Sequence, residues 1–150
     1  MKLRQIFTTL FFIHLNFTLT YAAMPIQAGE SYVTRFSGLT IVNGNPTINL
    51  KGTVGSIIDI RNPKTAPMGQ HWLNEPQRVP ISARDAGQIF GIAIDPKSRN
   101  IYVTASSKFG LHRNIDNKEW MMGLWGENGG PGTVYILRPD NNYKVEVFTK

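Results

Sequence analysis

Ile89-Phe90-Gly91-Ile92-Ala93-Ile94-Asp95, then Ile101-Tyr102-Val103-Thr104-Ala105-Ser106: two apolar runs rich in β-branched and aromatic residues flank the polar turn Pro96-Lys97-Ser98-Arg99-Asn100. Runs of this length bounded by Pro, Asn and Asp read as strands, because branched side chains suit a pleated surface and the bounding residues suit turns. Two more runs follow. Gly132-Thr133-Val134-Tyr135-Ile136-Leu137 is the third, and Arg138-Pro139-Asp140-Asn141-Asn142 turns it. Tyr143-Lys144-Val145-Glu146-Val147-Phe148 is the fourth, with Tyr143, Val145 and Val147 alternating against Lys144 and Glu146. The expectation is one antiparallel sheet over 87–150, its strands paired in chain order, with Ile92 and Ile94 on the first strand. Between the second and third runs lies a long Gly-rich insertion.

Working toward the N-terminus, the pattern stays short and β-like. Ser31 to Phe36, Leu39 to Val42, Thr47 to Leu50 and Ser56 to Ile60 read as strands, and Asn43-Gly44 is a strong hairpin-turn signal continued by Asn45-Pro46. No stretch keeps apolar residues at helical spacing. Asn62 to Arg84 carries Pro63, Pro67, Pro76 and Pro80, which argues against a long regular element and for an ordered loop. Ser82 with Asp85 three residues on predicts a single helical turn over Ser82 to Ala86. The chain therefore reads as all-β, antiparallel throughout.

The first 23 residues read differently. Lys2 and Arg4 precede a mostly apolar stretch from Ile6 to Leu19, and Tyr21-Ala22-Ala23 supplies small residues for cleavage after Ala22 or Ala23. That order is the pattern of a secretory signal peptide. A membrane anchor needs about 20 apolar residues; this run is shorter and is broken by His14 and Asn16. A buried core helix competes less well, because β-branched and aromatic residues are weak helix formers. The protein is thus expected outside the cytoplasm, periplasmic or extracellular, and off the membrane after cleavage. Removing residues 1–23 from 150 leaves 127, enough for one domain. Lys2 and Arg4 leave with the signal, so 16 basic residues become 14 against 10 acidic ones, a net charge of +4. Without a run of Lys or Arg this does not point to nucleic acid. There is no cysteine, so disulfides, thiolate metal sites and thiol nucleophiles are excluded and the core must hold the fold.

Gly91-Ile92-Ala93-Ile94-Asp95-Pro96 with Asn100-Ile101-Tyr102-Val103-Thr104, then Gly132 to Arg138 and Tyr143 to Phe148, resembles one blade of a six-bladed β-propeller of the NHL, gluconolactonase-like or TolB-like type. The wider text is similar to the N-terminal part of exported bacterial propeller proteins. It includes Gln70-His71-Trp72-Leu73-Asn74-Glu75-Pro76, Phe109-Gly110-Leu111-His112-Arg113 and Gly129-Gly130-Pro131-Gly132. A small sandwich or barrel is the competing architecture. The expected organisation is a signal peptide at 1–23 and a partial propeller domain at 24–150. Within that domain, strands occupy 24–62, a Pro-rich loop 63–86 and one blade with its insertion 87–150. One blade cannot close a ring of about four to eight, so the resemblance implies an incomplete propeller whose uncovered faces favour self-association.

The chemistry offers candidates but no catalytic motif. Gly126-Glu127-Asn128-Gly129-Gly130-Pro131-Gly132 lacks the Lys-Ser or Lys-Thr of a phosphate loop and reads as a turn-rich loop. Asp116, Asn117, Glu119, Glu127 and Asn128 carry calcium-type oxygen atoms, but their spacing is not that of an EF-hand, and no metal or cofactor is expected. Trp120, Met121, Met122, Leu124 and Trp125 form an apolar cluster that reads first as a lid over the blade and second as a binding surface. His71, Trp72, His112, Arg113, Trp120 and Trp125 are the candidate ligand or partner surface. The expected function is non-catalytic binding of a protein, glycan or small ligand through a loop-rich rim. The alternative that the resemblance implies is a hydrolase or dehydrogenase of the lactonase or quinoprotein kind.

Overall fold

A computed structural model describes residues 22–61 and 77–150. The expected signal peptide up to residue 21, and His71 and Trp72 with most of the expected Pro-rich loop, lie outside the described residues. The elements in chain order are β1 (Glu30–Thr34), β2 (Leu39–Val42), β3 (Asn45–Ile48), β4 (Thr53–Asp59), β5 (Gln77–Ser82), α1 (Ala83–Ala86), β6 (Ile89–Ile94), β7 (Ile101–Ala105), β8 (Val134–Leu137) and β9 (Val145–Thr149). They form three antiparallel sheets among the described residues: β1-β4-β5, the hairpin β2-β3, and β6-β7-β8-β9. No helix of the described residues is long and apolar enough to cross a membrane.

The four-stranded sheet follows chain order, as the turn spacing requires. Ile94 pairs with Ile101, Val103 with Tyr135 and Leu137 with Val145. Opposed residues share a face. One face therefore carries Ile101, Val103, Tyr135 and Leu137, all buried, and these join a single core with Val54, Ile57 and Ile81 of the first sheet and Ala83 and Ala86 of α1. Fully burying such side chains contributes about 1.5–3 kcal/mol each. On the other face Tyr102 meets Phe148 edge to face at 5.2 Å. The sheet is not covered throughout: Phe90, Ile92, Ile94, Val147 and Phe148 stay exposed. Ile136, which by register faces the same way as Tyr102, is nonetheless buried.

Several boundaries move from the sequence expectation. The fourth run begins at Val145, because Asn142 and Tyr143 both take positive φ after the 3-10 turn Pro139–Asn141, and Tyr143 is buried in the core instead of alternating along a strand. Part of the expected Pro-rich loop is a strand. Gln77–Ser82 pairs with β4 despite Pro80, which an edge position tolerates because one side of an edge strand makes no ladder bonds. Pro46 likewise sits inside β3, in a two-stranded hairpin. The Asn43-Gly44 turn holds, both residues at positive φ. Ser82 precedes α1 as expected, but its hydroxyl donates to the Asp85 carboxylate and accepts no helix N–H.

Two polar contacts close the body. Arg78 on β5 binds the Glu30 carboxylate and also donates to the carbonyls of Met24 and Pro25, tying down the segment before β1. That guanidinium holds the Glu30 carboxyl below its ordinary range. Gln88, fully buried, accepts from the Ser37 N–H and donates to the Ser37 hydroxyl and the Gly123 carbonyl. Its backbone N–H donates to the Leu124 carbonyl, and its own carbonyl accepts from Ser106. One glutamine thus joins the β1–β2 connection, the insertion and the four-stranded sheet.

Candidate functional site

The insertion between β7 and β8 is not an irregular excursion. Asn114 N–H donates to the Glu119 carbonyl, Met121 N–H to the His112 carbonyl, and Arg113 bridges to Trp120 as an isolated antiparallel pair. The Asn114 side chain accepts from the N–H groups of Lys118 and Glu119, closing the loop between them. Residues 112–121 therefore form a small hairpin-like finger. Beyond it the chain returns over the body. Leu124 is fully buried, and a Cβ on Gly87 would fall 2.5 Å from the Leu124 carbonyl oxygen, so the crossing requires glycine at 87.

Tyr135 explains the glycines that follow. Its ring is buried in the middle of the four-stranded sheet and its hydroxyl donates to the Trp125 carbonyl. Burial pushes this phenol up to about 12. A Cβ on Gly129 would sit 1.8 Å from the Tyr135 oxygen, and one on Gly126 would sit 2.5 Å away. The glycine-rich loop is thus a seat for a tyrosine hydroxyl. Positive φ adds to that requirement at Gly126 and by itself favours glycine at 132.

The finger faces the β2–β3 hairpin across a groove of about 1010 Å³. One wall is Thr40, Val42, Pro46 and Ile48, and the other is Arg113, Ile115, Trp120 and Met121. Met121 fixes the floor: its sulfur accepts the Ile48 N–H at 3.1 Å. A smaller cavity of about 300 Å³ continues past Trp120 and Met122 to Trp125 and Glu127, and Arg84 lines both. The Arg113 guanidinium lies 3.5 Å from the centroid of the Trp120 ring, and Trp125 meets Trp120 edge to face at 5.4 Å.

Of the residues singled out from the sequence, Arg113, Trp120 and Trp125 come together in this way. His112 does not join them. Its ring stacks on Phe36 at 5.6 Å and its Nε2 lies 3.2 Å from the Phe109 carbonyl, within an aromatic group that includes Phe90. The aromatic insertion residues divide the two roles expected of them: Leu124 is core, Trp120, Met121 and Trp125 pack against the core, and Met122 is 74 % exposed. Glu119 lines the larger groove and Glu127 the smaller cavity. Among the described residues no three His, Asp or Glu side chains gather as a metal site. Arg84, Lys51 and the asparagines of the β2–β3 turn were missed from the sequence. The fold alone brings residues more than sixty positions apart onto one groove. No family model, curated protein or solved structure matches this chain.

Proposed function

We propose that this is an exported, non-catalytic binding protein whose ligand occupies the groove between the β2–β3 hairpin and the finger at 112–121. The observation that carries the reading is the groove's composition. A Trp-Met wall carrying an Arg–Trp stack sits beside amide, hydroxyl and guanidinium groups, the mix of apolar surface and few polar groups that ligand sites use. Its volume matches small-ligand sites, which run to about 1,000 Å³.

The four-stranded sheet is read as a blade of the propeller type. Chain-order antiparallel pairing, one face packed on a neighbouring sheet and exposed apolar residues elsewhere on the sheet all support that reading. On it, the finger is an insertion between the second and third blade strands, and this loop supplies one wall of the groove, as connecting segments commonly carry function. Export is read from residues 1–23. The Ala23 N–H donates to the Pro139 carbonyl, a contact kept if cleavage follows Ala22 and lost if it follows Ala23. N-terminal sequencing of secreted material is expected to begin at Ala23; retention of Met1 would overturn export by cleavage.

The groove itself is tested by a thermal-shift screen of oligosaccharides, peptides and small organic molecules. A ligand is expected to raise the melting temperature of the protein and to do so much less for Trp120→Phe and Thr47→Lys. Stabilisation that both variants retain in full would place the ligand elsewhere.

A further inference from the structure

We propose that the groove takes a small organic anion with an apolar body, its acid group held by Arg84 and its body lying along Trp120 and Met122. This rests on the groove being the ligand site. The first argument is charge. Lys51, Arg84 and Arg113 line the larger space against one carboxylate, Glu119. The smaller cavity sets Arg84 against Glu127. Neither Arg84 nor Lys51 has a side-chain hydrogen bond or ion pair among the described residues.

Arg84 is also the best-placed cation. Its N–H donates to the Leu50 carbonyl, and its carbonyl accepts from Glu127, so its backbone is held by one lining residue of each cavity. The neighbouring Asp85 carboxylate is engaged by the Ser82 hydroxyl. Arg84 is the charged residue common to both cavities, which otherwise share Trp120, Met121 and Met122. A guanidinium in that position matches a carboxylate or phosphate by paired N–H donors. Arg113 is committed differently: it lies on the Trp120 face and reaches the Lys118 carbonyl at 3.5 Å. It makes the ring a cationic platform instead of competing for the acid group.

The apolar half follows from exposure. Ile115 and Met122 are 79 % and 74 % exposed at the edge of the groove, beside the half-buried Trp120 and Met121. Apolar surface next to an unpaired guanidinium suits a ligand with both characters. Three cations without a run do not make the continuous stripe that a polyanion requires.

The test uses the purified protein and three probes of equal chain length, each below its micelle concentration: decanoate, decyl maltoside and decyltrimethylammonium. Tryptophan fluorescence is the readout, with Trp120→Phe subtracting signal that does not come from the groove. Decanoate is expected to bind saturably, at least about tenfold tighter than the other two, with that advantage shrinking as salt is raised. Arg84→Gln is expected to weaken decanoate by about tenfold and to leave decyl maltoside unchanged. Because Arg84 is exposed, this variant should keep the wild-type circular dichroism; if it does not, Lys51→Gln carries the same comparison with the same expected direction. Equal binding of all three probes, unchanged by Arg84→Gln, would overturn the anion assignment while leaving the groove as a site. Absence of any Trp120-dependent signal with all three would overturn both.

Discussion

The Tyr135 hydroxyl donates to the Trp125 carbonyl, and that bond joins the middle of the four-stranded sheet to the strip of chain that builds the groove's inner end. The glycines around it are spaced by the tyrosine. Gly129 and Gly126 leave room for its oxygen, while Gly130 has open space where a side chain would project.

This separates two neighbouring glycines. Gly129→Ala is expected to lower the melting temperature clearly, since its Cβ would overlap the Tyr135 oxygen and force the loop or the ring to move, a cost typical of overpacking at about 1–3 kcal/mol. Gly130→Ala meets nothing and its φ is not positive, so it should be near neutral. Thermal denaturation of both variants checks the contrast, and equal effects would show that the loop is held some other way.

Burial makes Tyr135 sensitive to alkali. Its folded phenol is raised to about 12 by desolvation, above the ordinary value near 10. The unfolded chain therefore loses this proton first as pH rises. The stabilisation is complete below about pH 10 and declines as pH climbs toward 12. Urea melts across that range should show a falling stability, and Tyr135→Phe should flatten part of the fall. Tyr32 and Tyr143, also raised by burial, keep the remainder.

Gln88→Ala should be among the most damaging single changes away from the large hydrophobes. It would leave the Ser37 N–H and the Gly123 carbonyl without their partner in a buried site. Each such unsatisfied group costs about 1–3 kcal/mol. A lowered urea midpoint with accelerated hydrogen exchange at the Ser37 N–H is expected; wild-type stability would mean water replaces the amide without loss.

The exposed side chains of the sheet bear on association. Phe90 and Phe148 are 52 % and 57 % exposed, and the Phe148 ring meets the Tyr102 ring edge to face. Sedimentation at increasing concentration is expected to reveal self-association that Phe148→Ser reduces, at a stability cost within the range of one aromatic pair, about 0.5–1.5 kcal/mol. A wild-type monomer at all concentrations would show that these side chains are tolerated in water.

Alternation and turn chemistry make the four-stranded sheet legible in the sequence. The turn after Ile94 and the Asn43-Gly44 hairpin state their geometry locally, because the side-chain period of two and the positive φ of Asn-Gly are properties of a few adjacent residues. The same locality explains the failures. Tyr143 looks like a strand residue by its neighbours, yet Asn142 and Tyr143 both turn left-handed and the ring drops into the core. Pro80 argues against a strand, yet β5 lies at a sheet edge, where its missing N–H is not needed.

Trp120 and Arg113 stood out in the sequence by type, seven residues apart in a polar insertion, but their stacking follows from an isolated bridge that composition does not encode. Gln88 and Arg84 carried no signal, since each is defined by partners far along the chain: Gly123 for one, Leu50 and Glu127 for the other. Residue type and short-range pattern therefore determined the β class, the turns and the absence of thiol chemistry in this protein. Only tertiary packing decided which loops meet, because a groove is made where separate segments bury their apolar sides together and leave their polar groups facing one another.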